Sequence, residues 1–173
     1  VGWVEATDCI ESVVKAAIKE GVYGINDGHS PERKTKEAVK FFGKMAKKYG
    51  ANANVIYEIY NEPVEDSWES LKEYSKAVID EIRKYDPDNI ILVGCPHWDQ
   101  DIHIVAESPL EGYNNIMYTV HFYAGTHKQY LRDRVDAAMQ KGIPVFISDC
   151  ASMGASGDGK LDKSSWNEWV EFM

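Results

Sequence analysis

Two carboxylates in aromatic and hydrogen-bonding company give this sequence its chemistry. Four strand-like stretches end in polar groups. GVYGIND leads into Asp27 and His29, NVIYEIY into Asn61 and Glu62, IMYTVHFYA closes on His121 and Tyr123, and PVFISDCA reaches Asp149. Parallel α/β architectures assemble their sites at strand C-termini. Two carboxyl groups on different strands suit glycoside hydrolysis. One protonates the leaving oxygen, and the other attacks the anomeric carbon or activates water. Asn, His and Tyr side chains supply hydrogen bonds for sugar hydroxyls, and Trp98 an aromatic face. No Gly-rich phosphate loop of the GxGxxG or Walker type follows any strand, so a nucleotide cofactor is disfavoured. The chemistry requires no cofactor.

The elements that position these groups alternate. Residues 8–19 put Ile10, Val13, Val14, Ala17 and Ile18 on one helical face, with Gly21 behind them as a C-terminal stop. A strand follows at 21–27, weakened by Gly24 and Asn26. Residues 35–48 repeat the helical period, with Thr35 able to cap the start. Strand 54–60 leads to a helix capped by Ser67, and DPDN at 86–89 is turn chemistry. The apolar run IILVGC at 90–95 reads as a strand covered on both faces. A short helix at 99–107, strand 116–124, helix 127–140, strand 144–151 and a last helix from near Asp162 complete the order. Such alternation implies parallel strands joined by right-handed crossovers. A doubly wound sheet and a piece of a (β/α)8 barrel both fit it.

Composition narrows the class. The chain has 173 residues, enough for one sizeable core, with 44% hydrophobic and 27% charged residues. Its net charge of −9, from 19 basic and 28 acidic residues, provides no positive footprint for nucleic acid. No run approaches the roughly 20 apolar residues of a membrane helix. The opening VGWVEATD lacks the features of a secretory leader. Cys9, Cys95 and Cys150 are odd in number and far apart, which disfavours both a disulfide framework and a zinc site. His97, His103 and His127 lack a carboxylate partner at metal-ligand spacing and read as surface residues, so no metal is expected. Trp166 and Trp169 read as core, Asp158 as loop chemistry, and the charges over 32–48 as a solvated helix face.

Several segments resemble glycoside hydrolase family 5, nearest its bacterial endo-β-1,4-glucanases. They are IYEIYNEP (56–63), HFYAGTH (121–127) and PVFISDCASMGASGDG (144–159), supported by GVYGINDGHS (21–30). CPHWDQDI (95–102) resembles the family's Trp-Ser-Gln-Asp segment. The resemblance spans nearly the whole chain, in family order. It implies a single catalytic domain over 1–173, folded as a partial (β/α)8 TIM barrel of about five βα units, the family's third to seventh, incomplete at both ends. It implies a retaining mechanism on cellulose-like β-1,4-glucan outside the cell. Glu62 would be the general acid/base and Asp149 would occupy the nucleophile position. Asn61 would bind the sugar 2-hydroxyl, and His29 would line the neighbouring subsite. His121 and Tyr123 would hold the nucleophile and the anomeric region, and Trp98 would stand near the cleft.

Two departures from the family pattern carry expectations. The family nucleophile is Glu, and the shorter Asp149 should set its carboxylate about 1 Å or more further back. That would place it between the separations of retaining pairs, about 5–5.5 Å, and inverting pairs, about 6.5–9.5 Å. A complete barrel takes about 250 residues. Five strands therefore leave two open edges and an apolar inner face, which favours self-association. The alternative reading is a non-catalytic glycan binder or inert fragment.

Overall fold

The computed structural model describes residues 7–30 and 32–173. The opening segment 1–6, read above for a leader, lies outside them. Five parallel strands form one sheet in the order β1 (Gly24–Asp27), β2 (Val55–Glu58), β3 (Ile91–Val93), β4 (Ile116–Tyr123) and β5 (Val145–Ala151). Helices α1 (Thr7–Glu20), α2 (Thr35–Tyr49), α3 (Trp68–Arg83), α5 (Ile102–Glu107), α6 (Gln129–Gln140) and α7 (Lys163–Phe172) alternate with them, and a single turn, α4 (Pro96–Asp99), follows β3. All five expected strands form, each within the range read from the sequence or matching it closely.

Period-two alternation sorts the strand side chains into two faces. Val55, Tyr57, Ile59, Ile91, Val93, Tyr118, Val120 and Phe122 join the helix-facing core with Phe42, Leu71, Val78, Leu131 and Trp169. Phe122 stacks on Trp169 at 3.9 Å between centroids, in keeping with the core reading of that tryptophan. Glu58 and His121 lie on the other face. There the Ser148 hydroxyl of β5 donates to Glu58 Oε1 of β2 at 2.7 Å. A flat sheet would hold β2 and β5 roughly 14 Å apart, three interstrand spacings. The contact therefore requires the sheet to curl, and the fold is a half-barrel with its site on the concave side.

Local signals act as read at most joints. Ser67 caps α3 by accepting from the Ser70 N–H, and Asp162 caps α7 by accepting from Ser165. In DPDN, Asp86 is fully buried and accepts from the Tyr57 hydroxyl, from Asn89 Nδ2 and from the backbone N–H groups of Asp88 and Asn89. Two joints differ. Thr35 is the first residue of α2 rather than its cap; Lys34 takes the cap position and makes no side-chain cap bond. The helix expected over 99–107 is broken, because His97, Trp98 and Asp99 all adopt left-handed backbone (φ 55, 55 and 59°) and α5 begins only at Ile102.

Among the described residues β1 pairs only with β2, and the groove between α1 and β1 has a volume of about 730 Å³, lined by Val13, Val22, Tyr23 and Ile25 among others. Val13 is 68% exposed and Tyr23 74%.

Candidate active site

The site grows from the C-terminal ends of β2, β3, β4 and β5. β2 runs on into Asn61, Glu62 and Pro63. Glu62 has left-handed backbone, φ 48°, a conformation costing a non-glycine residue about 1–2 kcal/mol. The following loop lies against the end of β3. Gly94 makes this approach possible, since a Cβ there would meet the Tyr60 carbonyl at 2.5 Å. The Trp98 N–H donates to the Pro63 carbonyl at 2.9 Å, and the Glu62 N–H donates to Asp99 Oδ2 at 2.9 Å. Four of the five left-handed non-glycine residues among those described, Glu62, His97, Trp98 and Asp99, thus sit in two segments bonded to each other. Strain of this kind persists only where the surroundings over-determine it, and it concentrates at functional sites.

β4 presents His121 and Tyr123 on the concave face, one residue apart on either side of Phe122. His121 Nδ1 lies 3.1 Å from Glu62 Oε1. Its Nε2 lies 2.7 Å from Ser148 Oγ and 3.3 Å from Glu58 Oε1. Burial works against a charged ring, but the hydrogen bonds to Glu58 and Glu62 and the Asp99 charge outweigh it, raising the His121 pKa to about 10. Acidic partners at both nitrogens thus draw the ring toward its charged form.

β5 delivers Ser148 and Asp149 together through an irregularity. Thr119 pairs with Phe146 and His121 with Asp149, so β5 spends three residues where β4 spends two. Strict alternation would send Ser148 and Asp149 to opposite faces. The bulge lets both reach His121, as bulges beside active sites commonly do. One oxygen of Glu62, one oxygen of Asp149 and one ring nitrogen of His121 lie within 4.8 Å of one another. The shortened nucleophile-position side chain thus still approaches Glu62 closely.

The trio is also the one group among the described residues whose donor atoms converge tightly enough to hold a metal ion. Both His121 nitrogens are already engaged by protein oxygens, which suits a hydrogen-bonded acid site better than a ligand set.

The cleft over these groups has a volume of about 430 Å³ and is lined by Glu62, Trp98, Gln100, His121, Tyr123, His127 and Ala155. Trp98 is 46% exposed, with one ring face against His97 at 6.0 Å. The Tyr123 hydroxyl is pushed upward in pKa by burial and then by the charges of Asp149 and Glu62. Three expected site residues are not in this lining: Asp149, exposed beside Glu62 and His121, and further off His29 and Asn61. His29 is exposed at the end of β1, its Nδ1 2.9 Å from Asp27 Oδ2. Asn61 is half-buried beside Glu62, its N–H 3.4 Å from the Gly28 carbonyl.

His127 departs from the surface reading, and His97 from the expectation that it lacks a carboxylate partner. His127 is buried and lines the cleft, because the AGT turn folds it back so that its Nδ1 accepts from the Tyr123 N–H at 2.7 Å. Burial lowers its pKa and keeps it neutral. His97 is exposed as expected, yet it does have a carboxylate partner, Asp101 Oδ2 at 2.7 Å, four residues on.

Four buried or half-buried groups were not singled out from the sequence: Glu58, Asp99, Thr119 and Ser148. Glu58 was within reach, since period two puts it opposite Tyr57 in IYEIYNEP. Asp27, next to Glu58 on β1, is raised to about 6 by burial and by the Glu58 charge, against the pull of His29. Asp99 is fully buried and raised to about 7 by burial, against His121, Thr119 and two backbone donors.

The chain matches known proteins along almost its whole length. The family described as Cellulase (glycosyl hydrolase family 5) matches residues 5–173. Endoglucanase Z of Dickeya dadantii is 44% identical over 167 residues, covering 95% of this chain and 39% of that protein. An endoglucanase of Clostridium saccharobutylicum is 46% identical over 173 residues, covering 95% and 38%. This chain therefore spans about two fifths of the length of these curated relatives. Among solved structures, the catalytic domain of Thermobifida fusca endoglucanase Cel5A (E5) superposes with a TM-score of 0.90 at 32% identity, covering 96% of this chain and 58% of that one. A variant of that enzyme solved with cellotetraose superposes equally well. The half-barrel, its strand-end carboxylates and these matches agree: the chain belongs to glycosyl hydrolase family 5, the cellulases.

Proposed function

We infer that the protein hydrolyses internal β-1,4 bonds of cellulose-like glucan with retention of configuration, Glu62 acting as acid/base and Asp149 as nucleophile. The observation that carries this reading is the approach of the two carboxylates to within 4.8 Å beside His121. An inverting pair needs about 6.5–9.5 Å to admit a water between sugar and base. In the first step an Asp149 oxygen attacks the anomeric carbon as Glu62 passes its proton to the departing glycosidic oxygen. In the second, Glu62 takes a proton from water, the water oxygen attacks the same carbon, and Asp149 leaves. Tyr123 and His121 border the anomeric region, and exposed Trp98 offers a sugar-stacking face. His29 and Asn61 extend the substrate contacts along the strand ends.

A polymeric substrate favours action outside the cell. Among the described residues, no helix is long and apolar enough to cross a membrane. The exposed apolar residues beside β1 favour self-association through that edge, which sedimentation velocity reads directly.

Release of reducing ends from carboxymethyl-cellulose tests the function. Activity in the parent that is lost in Glu62→Gln supports it. A folded parent that binds cello-oligosaccharide without releasing reducing ends overturns it in favour of a non-catalytic glycan binder.

A further inference from the structure

We propose that Asp99 is a positioning residue for Glu62: its carboxylate clamps the β2 and β3 end loops together and fixes the Glu62 carboxyl against His121. This rests on the acid/base role given to Glu62 above. In the family's Trp-Ser-Gln-Asp segment the residue after Trp is serine, and here it is Asp99. The side chain is fully buried, and both oxygens are used. Oδ1 accepts from the Cys95 N–H at 2.5 Å and from the Thr119 hydroxyl at 2.6 Å. Oδ2 accepts from the Glu62 N–H at 2.9 Å and lies 3.7 Å from His121 Nδ1.

One carboxylate therefore bonds β3's end, β4 and the backbone of the acid itself. It closes its own left-handed run, 97–99, and holds the left-handed Glu62. A serine hydroxyl has a single oxygen and cannot span these donors from one site. The Cys95 and Glu62 N–H groups can only donate, one to each oxygen, so the clamp needs acceptors on both oxygens; the Thr119 hydroxyl, also 3.3 Å from the Val93 carbonyl, can donate or accept. An amide at this position would set N–H against N–H on one side.

The clamp also belongs to the electrostatics of His121. The groups facing that ring are Glu58 and Glu62 from β2 and its end, Asp99 from the turn, and Ser148 and Asp149 from β5, with Asp27 beyond Glu58. Around Asp99 itself stand His121, the buried Cys95 thiol and, further out, Asp101. Removing the Asp99 charge withdraws one of the negative charges that favour protonation of His121.

Asp99→Asn and Asp99→Ser in the full chain test this, with thermal melts to confirm folding. Three readouts apply: kcat and KM on a soluble cello-oligosaccharide, the pH profile of kcat/KM, and the ring-nitrogen NMR titration of His121. Asp99→Asn is expected to lower kcat about tenfold or more with KM within about twofold, the signature of a misplaced acid rather than a lost substrate contact. The His121 midpoint should fall by about one pH unit or more. Asp99→Ser should lie between Asp99→Asn and the parent in kcat. Should Asp99→Asn fail to fold, Asp99→Ser is read by the same measurements. Variants with a lower melting temperature but the parent's kcat, pH profile and His121 midpoint would make Asp99 merely structural and overturn the proposal. An inactive parent would sink the hydrolase reading alone, since the His121 midpoint still decides whether Asp99 acts on this network: a fall supports the clamp and an unmoved midpoint refutes it.

Discussion

The two carboxylates proposed for catalysis, Glu62 and Asp149, sit in opposite kinds of surroundings. Glu62 is held through its own N–H by buried Asp99 and through its carboxylate by His121, which Ser148 and Glu58 anchor in turn. Asp149 is exposed, one methylene shorter than the family's residue, and among the described residues makes no side-chain hydrogen bond. Glu62 is built into the strand ends, while Asp149 owes its direction to a bulge. The contrast implies that acid placement is insured against small perturbations and nucleophile placement is not.

The largest effect should come from the acid. Glu62→Gln removes the proton donor while leaving the Asp99 clamp intact, and kcat is expected to fall by roughly 10²–10⁴-fold, as read by reducing-end release. Next is the poorly anchored side. Asp149→Glu restores the longer arm where nothing else fixes the carboxylate, and kcat should rise about tenfold or more, because errors near 1 Å cost up to about a hundredfold. An unchanged rate would mean that the bare surroundings of Asp149 do not limit catalysis.

The buried network also predicts a pH dependence of stability. The His121 pKa is raised on folding from 6.5 to about 10, so its contribution is full below pH 6.5 and is lost as pH rises toward 10. Asp27, raised from 3.8 to about 6, likewise contributes at low pH and loses its contribution as pH rises through that range. Glu11, lowered from 4.5 to about 2 by Lys48 and Lys44, acts in the opposite sense at the acid end, so above its range urea melts should give unfolding free energies that decline toward alkaline pH, and His121→Gln should flatten the part between 6.5 and 10. Smallest is the effect at the open edge. Val13→Ser touches an exposed side chain and should change stability by only about 0.5 kcal/mol, while reducing any association through the α1–β1 groove.

The sequence made the βα alternation legible because each element has a clean period and most caps carry their own signal, as Ser67 and Asp162 do. It made Glu62, His121, Tyr123 and Trp98 legible because they stand in or beside strand-end motifs. Ser148 stayed hidden because alternation assigns it the face opposite Asp149, and only the bulge against Thr119 and His121 overrides that. Asp99 stayed hidden because an acidic residue before Gln and Asp reads as helix start, whereas three left-handed residues turn it inward. His127 was misjudged because its partner is the Tyr123 backbone, which no pattern of side-chain types records. The curl was not legible either, since curvature is set by contacts such as Glu58 with Ser148, ninety residues apart.

A close, retaining Glu62–Asp149 pair fixes the anomer of the released sugar, which proton NMR of the first product from a cello-oligosaccharide, recorded before mutarotation, reads. With Asp149 as nucleophile, the β-anomer appears first and the α-anomer only as the solution equilibrates. An α-anomer formed first would mean that water attacks directly, and would contradict the assignment of Asp149 as nucleophile.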